Sequence, residues 1–163
     1  MIAVVADTAP LRYLIQIDCQ QLLPILFTQV FVPTSVWQEL QHDKTPAIVR
    51  LWAEHVPPWM EVRKLSTTPG PALAGLDTGE RDAIQLALEL GADLLLVDER
   101  AGAQIARQQG LMVTGTLGIL LEAAQLGLVS VDDALARLAT TNFRRTSQLF
   151  DQVRELARQR GIR

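Results

Sequence analysis

Ile2-Ala3-Val4-Val5-Ala6-Asp7 is a short apolar run that ends on a carboxylate. Leu94-Leu95-Leu96-Val97-Asp98 repeats the same design later in the chain. Both runs are bounded by turn-forming or charged residues, which is typical of strands that are buried on both faces of a parallel sheet. Because ligands of such sheets bind outside the carboxyl ends of the strands, we expect Asp7 and Asp98 to point into a binding site.

Segments with strand character alternate with helical segments along the chain. The predicted strands lie near residues 2–6, 30–33, 60–65, 93–97 and 111–114. The predicted helices lie near residues 10–17, 20–27, 35–42, 46–54, 78–90, 100–109, 117–126, 131–139 and 146–160. Strands separated by helices pair in parallel through right-handed crossovers, so the pattern predicts an α/β sheet covered by helices on both faces.

Composition indicates an ordinary globular domain. The 163 residues are 48% hydrophobic and 20% charged, which is enough for one compact domain. No apolar run approaches the ~18 residues that span a bilayer, and the first residues lack the features of a secretory signal, so we expect a cytoplasmic protein without a membrane segment. The single Cys19 forms no internal disulfide, and His42 and His55 lack neighbouring zinc ligands, so no zinc site is expected.

Helix geometry places two glutamates near the same edge of the sheet. Ser35-Val36-Trp37-Gln38 has the form of a capping box, so Glu39 is expected just inside a helix, with its side chain leaning back toward the helix start. In the helix near 78–90, the buried face is predicted to contain Ile84, Ala87, Leu88 and Gly91. Glu80 lies within about 40° of Ile84 on that face, and Asp82 lies nearly opposite, where solvent is expected.

Each of these side chains also has a purely structural interpretation. Asp77-Thr78-Gly79-Glu80 is itself a capping box, and Glu39 is compatible with a surface position. Asp7 and Asp98 each precede a helix and are compatible with turn or capping roles. Thr8, Thr114 and Thr116 lie near strand ends, where a hydroxyl either orients a water or phosphate, or caps a helix. The joint position of the carboxylates at one edge favours a site.

The chemistry that such a set of carboxylates suits is phosphodiester hydrolysis. That reaction needs a nucleophilic water and neutralisation of phosphoryl charge, and Mg²⁺ or Mn²⁺ on hard oxygen ligands supplies both. Two carboxylates ~4 Å apart repel by about 4 kcal/mol at an effective dielectric constant of ~20, so a cluster is costly without a cation. Asp7, Glu39, Glu80 and Asp98 therefore predict a divalent metal site.

The net charge of −3 does not exclude a nucleic-acid ligand. Without those four carboxylates, 14 acidic residues stand against 15 basic ones. The bases also concentrate in the last 20 residues, at Arg144, Arg145, Arg154, Arg158, Arg160 and Arg163. This tail is compatible with a solvated basic helix and with a phosphate-contacting surface.

Four segments together resemble the successive acidic motifs of the PIN-domain family. They are Val5-Ala6-Asp7-Thr8-Ala9-Pro10-Leu11, Val32-Pro33-Thr34-Ser35-Val36-Trp37-Gln38-Glu39-Leu40, Gly79-Glu80-Arg81-Asp82-Ala83-Ile84-Gln85-Leu86-Ala87 and Leu95-Leu96-Val97-Asp98-Glu99-Arg100. The resemblance runs from residue 2 to about residue 126. It implies a three-layer α/β/α fold with a parallel sheet of order 3-2-1-4-5, in which Asp7 and Asp98 follow neighbouring strands.

The resemblance also implies a function and its residues. Asp7, Glu39, Glu80 and Asp98 match the family's four acidic positions, which act in catalysis and bind Mg²⁺ or Mn²⁺, although the third position is often aspartate. The implied reaction is cleavage of single-stranded RNA, in many bacterial and archaeal members as a toxin that is paired with a cognate antitoxin protein. Thr8, Thr116 and Arg100 are the expected nucleic-acid contacts, and a homodimer is the expected assembly.

The carboxyl-terminal part resembles a PIN-like subgroup with extra helices. Its signature is Gly115-Thr116-Leu117-Gly118 with the helical tail that follows. We therefore expect a nuclease domain over residues 1–126 and a helical extension, packed on the same domain, over residues 127–163.

Competing interpretations differ in how well the residues fit them. A haloacid-dehalogenase-like phosphatase needs a second aspartate two residues after Asp7, where Ala9 stands, and a dinucleotide-binding fold needs a glycine-rich turn that Asp7 to Leu11 lacks. The serious alternative is a catalytically silent PIN-like module that binds RNA or a protein through helix 146–160.

Trp52 and Trp59 flank a proline turn and either seal a dimer or pack beneath the loop.

Overall fold

The computed structural model of the chain describes residues 2–143 and 147–162, and its centre is a parallel sheet. The strands are β1 (Ala3–Ala6), β2 (Gln29–Pro33), β3 (Met60–Arg63), β4 (Leu94–Leu96) and β5 (Val113–Thr114). Their order across the sheet is β3-β2-β1-β4-β5. The strand order that the family resemblance implies is therefore confirmed, and β1 lies beside β4 with Val5 opposite Leu95.

Helices connect the strands and cover the sheet. They are α1 (Thr8–Gln16), α2 (Leu22–Leu26), α3 (Thr34–Leu40), α4 (Ala47–Trp52), α5 (Thr78–Leu90), α6 (Arg100–Gln108), α7 (Thr116–Gln125), α8 (Val131–Leu138) and α9 (Ser147–Gln159). A short 3-10 turn, Pro71–Leu73, interrupts the long loop before α5. The predicted segments agree with these elements to within a few residues at each end, because their apolar periodicity was strong. Among the described residues, no helix is long and apolar enough to cross a membrane.

The two faces of the sheet bury two separate hydrophobic clusters. Side chains alternate along β1, so Val4 and Ala6 join the cluster that includes α1, α3, α7, α8 and α9, whereas Val5 joins the cluster beneath α5 and α6. Because both faces are covered, β1 is apolar along its whole length. The first polar side chain after β1 is Asp7, at the edge of the sheet where the strand ends.

Helices α8 and α9 pack on α7, and their apolar side chains share one cluster with α1 and β1. Leu135, Leu138 and Phe150 are buried in the same cluster as Leu14 and Val4. The division into residues 1–126 and 127–163 stays a prediction, since a shared cluster does not mark a boundary.

The predicted buried face of α5 was right for Glu80, Ile84 and Ala87 and wrong for Leu88, Gly91 and Asp82. The buried residues of this helix are Gly79, Glu80, Asp82, Ala83, Ile84, Leu86 and Ala87, whereas Leu88 is 37% exposed. The face is therefore centred near Ala83 and Ala87, because α5 packs against β1, β2 and β4 on one side and against α3 and α6 on its flanks. Glu80 lies at one margin of this broad face, and Asp82 lies at the other.

The tryptophans pack against one another beneath the loop before β3. The ring centroids of Trp52 and Trp59 are 6.1 Å apart, and Trp37 lies 6.0 Å from Trp52. All three are partly buried against the larger hydrophobic cluster. This arrangement accounts for Trp52 and Trp59 without a dimer, and the homodimer stays a prediction.

Candidate active site

A cavity of about 680 Å³ opens at the carboxyl edge of the sheet, and the four predicted carboxylates line it. Asp7 follows β1, Asp98 follows β4, Glu39 lies on α3 and Glu80 lies in the first turn of α5. Thr8 and Arg100 also line the cavity. Four segments that are distant in the sequence therefore place their oxygen atoms around one opening.

Asp7 is the most deeply buried of these carboxylates, with 5% of its surface exposed. Its backbone N–H donates to the Leu96 carbonyl at 2.9 Å, which extends the β1–β4 pairing by one step. Its side chain lies at the N-cap position of α1 but makes no capping hydrogen bond, so the capping interpretation is wrong. The pKa of Asp7 is raised to about 8, chiefly by burial and also by neighbouring carboxylates, while a hydrogen bond from the Thr8 backbone acts against the rise.

Glu39 reaches the cavity from α3 and is held there by Thr8. The Thr8 hydroxyl donates to Glu39 Oε2 at 2.8 Å. Gly79 leaves the space between the two carboxylates open, because a Cβ at that position would lie 3.0 Å from Glu39 Oε2 and 3.2 Å from Asp7 Oδ1. The capping box predicted at Ser35 is absent, since α3 begins at Thr34 with Pro33 as its N-cap and without a capping side chain.

Glu80 is 8% exposed and enters the cavity from the first turn of α5. The N-cap of α5 is Asp77, whose side chain accepts a hydrogen bond from the Glu80 backbone N–H at 2.9 Å. The cap therefore uses the backbone of Glu80 and leaves its carboxylate for the cavity. Burial, followed by the like charges of Asp77 and Glu99, raises the pKa of Glu80 to about 7.

Asp98 is fixed by the start of α7. The Thr116 backbone N–H and hydroxyl each donate to it, at 2.7 Å to Oδ1 and 2.7 Å to Oδ2. Gly115 permits this approach, because a Cβ there would lie 2.5 Å from Asp98 Oδ1. Burial raises the pKa of Asp98, and the hydrogen bonds from Thr116 and the charge of Arg12 act against that rise. Asp98 therefore holds α7 while it lines the cavity.

Asp82 does not face solvent, contrary to the sequence prediction. It is 8% exposed and accepts a hydrogen bond from the Ser35 hydroxyl at 2.6 Å. Arg81 also pairs with it, with 3.0 Å between Nε and Oδ1. Asp82 is outside the cavity lining. Its hydrogen bond with Ser35 links α5 to α3, the two helices that carry Glu80 and Glu39.

The donor set suits a hard divalent cation, although the side chains are not closed around one. Within residues 2–143 and 147–162, no three His, Cys, Asp or Glu side chains are grouped closely enough to hold an ion between them. The available donors are carboxylate oxygens, which Mg²⁺ and Mn²⁺ prefer. Burial raises the pKa of Asp7, and a cation bound beside it would favour its ionised form.

Several cavity residues were missed at the sequence level. Arg12, Tyr13, Asp77, Arg107 and Phe143 all line the cavity. Arg12 had a recognisable signal, because it interrupts the apolar segment Pro10-Leu11-Arg12-Tyr13-Leu14-Ile15 of α1. Phe143 had none, since its position depends on how the chain returns after α8.

The arginines of the tail are engaged where the structure describes them. Arg154 pairs with Asp132 and Asp151, and Arg158 pairs with Glu155. Arg160 donates to Gln125 at 3.4 Å. The remaining tail arginines named above, Arg144, Arg145 and Arg163, lie outside the described residues. The described part of α9 therefore carries much of its positive charge in ion pairs.

Comparison with known proteins identifies the family. A sequence model of the PIN domain matches residues 3–159. The chain belongs to the PIN domain family. The match includes all of α8 and α9 and therefore extends beyond residue 126, where the resemblance seen in the sequence ended. PIN domains are generally metal-dependent nucleases, and the fold described above is that of a PIN domain.

A solved structure shares this PIN fold. It is a PilT N-terminus domain protein from the hyperthermophilic archaeon Sulfolobus solfataricus P2, with 19% sequence identity and a TM-score of 0.51. The alignment covers 76% of this chain and 93% of that chain. At this identity the likeness shows the fold alone. The search among curated proteins gave no significant match.

Proposed function

We propose that this PIN domain is a Mg²⁺- or Mn²⁺-dependent endoribonuclease that cleaves single-stranded RNA. The observation that supports the proposal is the meeting of Asp7, Glu39, Glu80 and Asp98 around one cavity at the carboxyl edge of the sheet. A site for phosphodiester hydrolysis needs oxygen donors in a concave, partly desolvated place, and this cavity has them.

Each carboxylate has a proposed role. Asp7 and Asp98 are the principal metal-binding residues, and Glu39 and Glu80 complete the site directly or through water. The bound ion would lower the pKa of an attacking water and offset the charge on the phosphoryl oxygens. Thr8 and Thr116 hold Glu39 and Asp98 in position.

Cleavage of labelled single-stranded RNA tests the proposal. Wild type, Asp7→Asn and the control Asp43→Asn, an exposed aspartate outside the cavity, are assayed with Mg²⁺, with Mn²⁺ and with EDTA. We expect cleavage by wild type and Asp43→Asn, and its loss in Asp7→Asn and in EDTA, with cooperative unfolding retained in both variants. Activity that survives both Asp7→Asn and chelation would falsify the metal mechanism.

The alternative function is binding without cleavage. It is favoured by the observation that no three potential ligands are grouped closely in the described residues. If the wild type cleaves no RNA under any metal condition but binds RNA or a protein tightly, the silent-module alternative replaces the nuclease.

A toxin role, a cognate antitoxin and a homodimer are separate proposals that rest on the family resemblance. Expression in a bacterial host is expected to arrest growth, and co-expression of a small protein encoded beside the gene is expected to relieve the arrest. Harmless expression of a cleavage-competent protein would count against the toxin role.

Sedimentation equilibrium tests the dimer, and a monomer at micromolar concentration would contradict it.

A further inference from the structure

Three arginines line the acidic cavity without an ion pair. They are Arg12 on α1 and Arg100 and Arg107 on α6. None has a carboxylate partner within 4.0 Å among the described residues, although acidic side chains line the same cavity. By contrast, ion pairs are formed by Arg63, Arg81, Arg137, Arg154 and Arg158, which lie outside it. The cavity thus keeps positive charge available for an incoming anion.

Arg12 is the best anchored of the three. Its Nη2 donates to the Tyr13 hydroxyl at 2.9 Å, and its guanidinium carbon lies 4.8 Å from the Tyr13 ring centroid. The Tyr13 hydroxyl donates in turn to the Asn142 carbonyl at 3.4 Å, and Phe143 packs edge-on against the Tyr13 ring. Residues from α1 and from the turn after α8 therefore hold one guanidinium at the cavity wall.

Hydrogen bonding leaves most of the Arg12 guanidinium unused. A guanidinium carries five N–H donors, and within residues 2–143 and 147–162 Arg12 makes one hydrogen bond, to Tyr13. Its Nε is shielded from solvent and has no partner in the described part of the chain. Because Nε is shielded, the donors left for an anion in the cavity are those of the terminal guanidinium nitrogens. The planar fork of donors matches the oxygens of a phosphate.

We propose that Arg12 binds a backbone phosphate of the single-stranded RNA, and that Tyr13 and Asn142 position it for this contact. The inference rests on the proposed function, because the nuclease substrate brings the phosphate into the cavity. Arg12 lies one helical turn beyond Thr8, which holds Glu39, so the phosphate contact falls beside the carboxylates. Arg12 is a binding residue here, and Tyr13 is a positioning residue.

The salt dependence of RNA binding tests the contact separately from cleavage. A labelled single-stranded oligouridylate RNA is titrated in Ca²⁺, in place of Mg²⁺ or Mn²⁺, from 50 to 200 mM KCl. For single strands, log K falls with log salt, and each lost phosphate contact makes this negative slope shallower by about 0.7. For Arg12→Gln we expect a slope that is shallower by this amount, and RNA binding that is about threefold to tenfold weaker at the lowest salt. The control Arg63→Gln, on β3 and outside the cavity, should match wild type in both respects.

Two further variants separate charge from geometry. Arg12→Lys keeps the charge but loses the planar fork, so it should keep the salt slope and bind about twofold to fivefold more weakly. Tyr13→Phe removes the hydroxyl that holds Nη2, so it should also keep the slope and weaken binding about twofold. If Arg12→Gln does not fold, Arg12→Lys and Tyr13→Phe still test the proposal. RNA affinity equal to that of the wild type in both variants would overturn it.

The outcomes distinguish this inference from the nuclease proposal. A cooperatively folded Arg12→Gln protein with the wild-type slope would overturn the phosphate contact, even if the wild type cleaves RNA. A wild type that binds RNA with the Arg12-dependent slope but cleaves nothing would overturn the nuclease proposal and leave the contact standing. If the wild type binds uridine monophosphate as tightly as the oligonucleotide, or binds neither of them, the proposed contact of Arg12 with an RNA backbone phosphate would be overturned.

Discussion

Two threonine hydroxyls hold two of the cavity carboxylates. Thr8 donates to Glu39 Oε2 at 2.8 Å, and Thr116 donates to Asp98 Oδ2 at 2.7 Å. Thr8 and Thr116 were both expected to contact nucleic acid, but Thr116 is fully buried, lies outside the cavity lining and uses its hydroxyl on Asp98. Hydroxyls that orient carboxylates in this way stabilise the ligand geometry before an ion arrives, and partners of metal-binding residues affect metal affinity strongly.

Removal of the Thr116 hydroxyl is expected to weaken both metal binding and the fold. Thr116→Val keeps the shape of this fully buried residue and keeps its backbone N–H bond to Asp98, but it loses the bond to Oδ2. We expect Mn²⁺ affinity to fall about tenfold to a hundredfold. The free energy of unfolding should fall by about 1–3 kcal/mol, because one bond to a half-buried carboxylate is lost.

Isothermal titration with Mn²⁺ and urea denaturation measure these two effects. The matched control is Thr140→Val, whose hydroxyl bonds the Arg137 carbonyl at 2.7 Å and lies outside the cavity lining. An unchanged Mn²⁺ affinity in Thr116→Val would show that the hydroxyl has no part in holding Asp98 for a metal.

A methyl group on Gly79 is expected to separate metal binding from stability. In Gly79→Ala, the new Cβ would lie 3.0 Å from Glu39 Oε2 and 3.2 Å from Asp7 Oδ1, which is tight enough to displace both carboxylates. Alanine favours the helix by about 0.5–1 kcal/mol relative to glycine, so stability should hold or rise slightly. Mn²⁺ affinity should fall about tenfold. Gly75→Ala is the control, since a Cβ there contacts nothing within 4 Å.

Among the elements, the pairing of α3 with α5 decides how far Glu39 lies from Glu80. The Ser35 hydroxyl and Asp82 carboxylate form a hydrogen bond across this helix pair. A helical wheel treats each helix alone and assumes one apolar stripe. Helix α5 instead packs against the sheet and two flanking helices, so its buried face is wide enough to include a polar residue at each margin.

Loss of the Ser35 hydroxyl is expected to destabilise the α3–α5 pair. Ser35→Ala leaves the buried Asp82 with Arg81 as its remaining side-chain partner, so the free energy of unfolding should fall by about 1.5–3 kcal/mol. Urea denaturation measures the change, with an unchanged m-value expected. Ser66→Ala is the control, because Ser66 contributes a backbone N–H bond to Glu89. Equal stability of the two variants would contradict the role of the Ser35–Asp82 bond.

For the molecule as a whole, the buried carboxylates make stability depend on pH. Burial raises the pKa of Asp7 to about 8 and that of Glu80 to about 7, above their ordinary values of 3.8 and 4.5. At a pH between its ordinary and its raised pKa, each of these carboxyl groups binds more protons in the folded state than in the unfolded state. The free energy of unfolding therefore falls as pH rises through this range. The lowered pKa values of Glu89 and Glu155 act at more acidic pH, outside this window.

Thermal unfolding without divalent ions should show this loss between pH 5 and pH 8. We expect Tm to fall by several degrees, at about 2–4 °C per kcal/mol for a domain of this size. Asp7→Asn should flatten the decline, because the amide does not ionise. Added Mg²⁺ should raise Tm more at pH 8 than at pH 5, since the ion binds the ionised carboxylates of the folded state. A Tm independent of pH in the wild type would contradict the raised pKa values.

Regular patterns in the chain were sufficient to predict the strands and the helices, because burial on two faces leaves a strong apolar signature. The sheet order was implied by the resemblance to a family. Asp7 and Asp98 could be placed at one edge for the same reason, since each directly follows a buried strand. The hydrogen bonds Thr8–Glu39, Thr116–Asp98 and Ser35–Asp82 could not be predicted. They join residues from different elements, and no local periodicity records such pairs.

The positions of Arg12 and Phe143 in the cavity depend on the same long-range packing. Local sequence establishes that residue 12 is on α1, but only the return of the chain after α8 puts an aromatic ring and a carbonyl acceptor beside Tyr13. The raised pKa values follow from this packing too, because burial and nearby charge exist only once distant segments have come together. The sequence pattern predicts the conformation of each segment, whereas contacts between distant segments exist only in the folded chain.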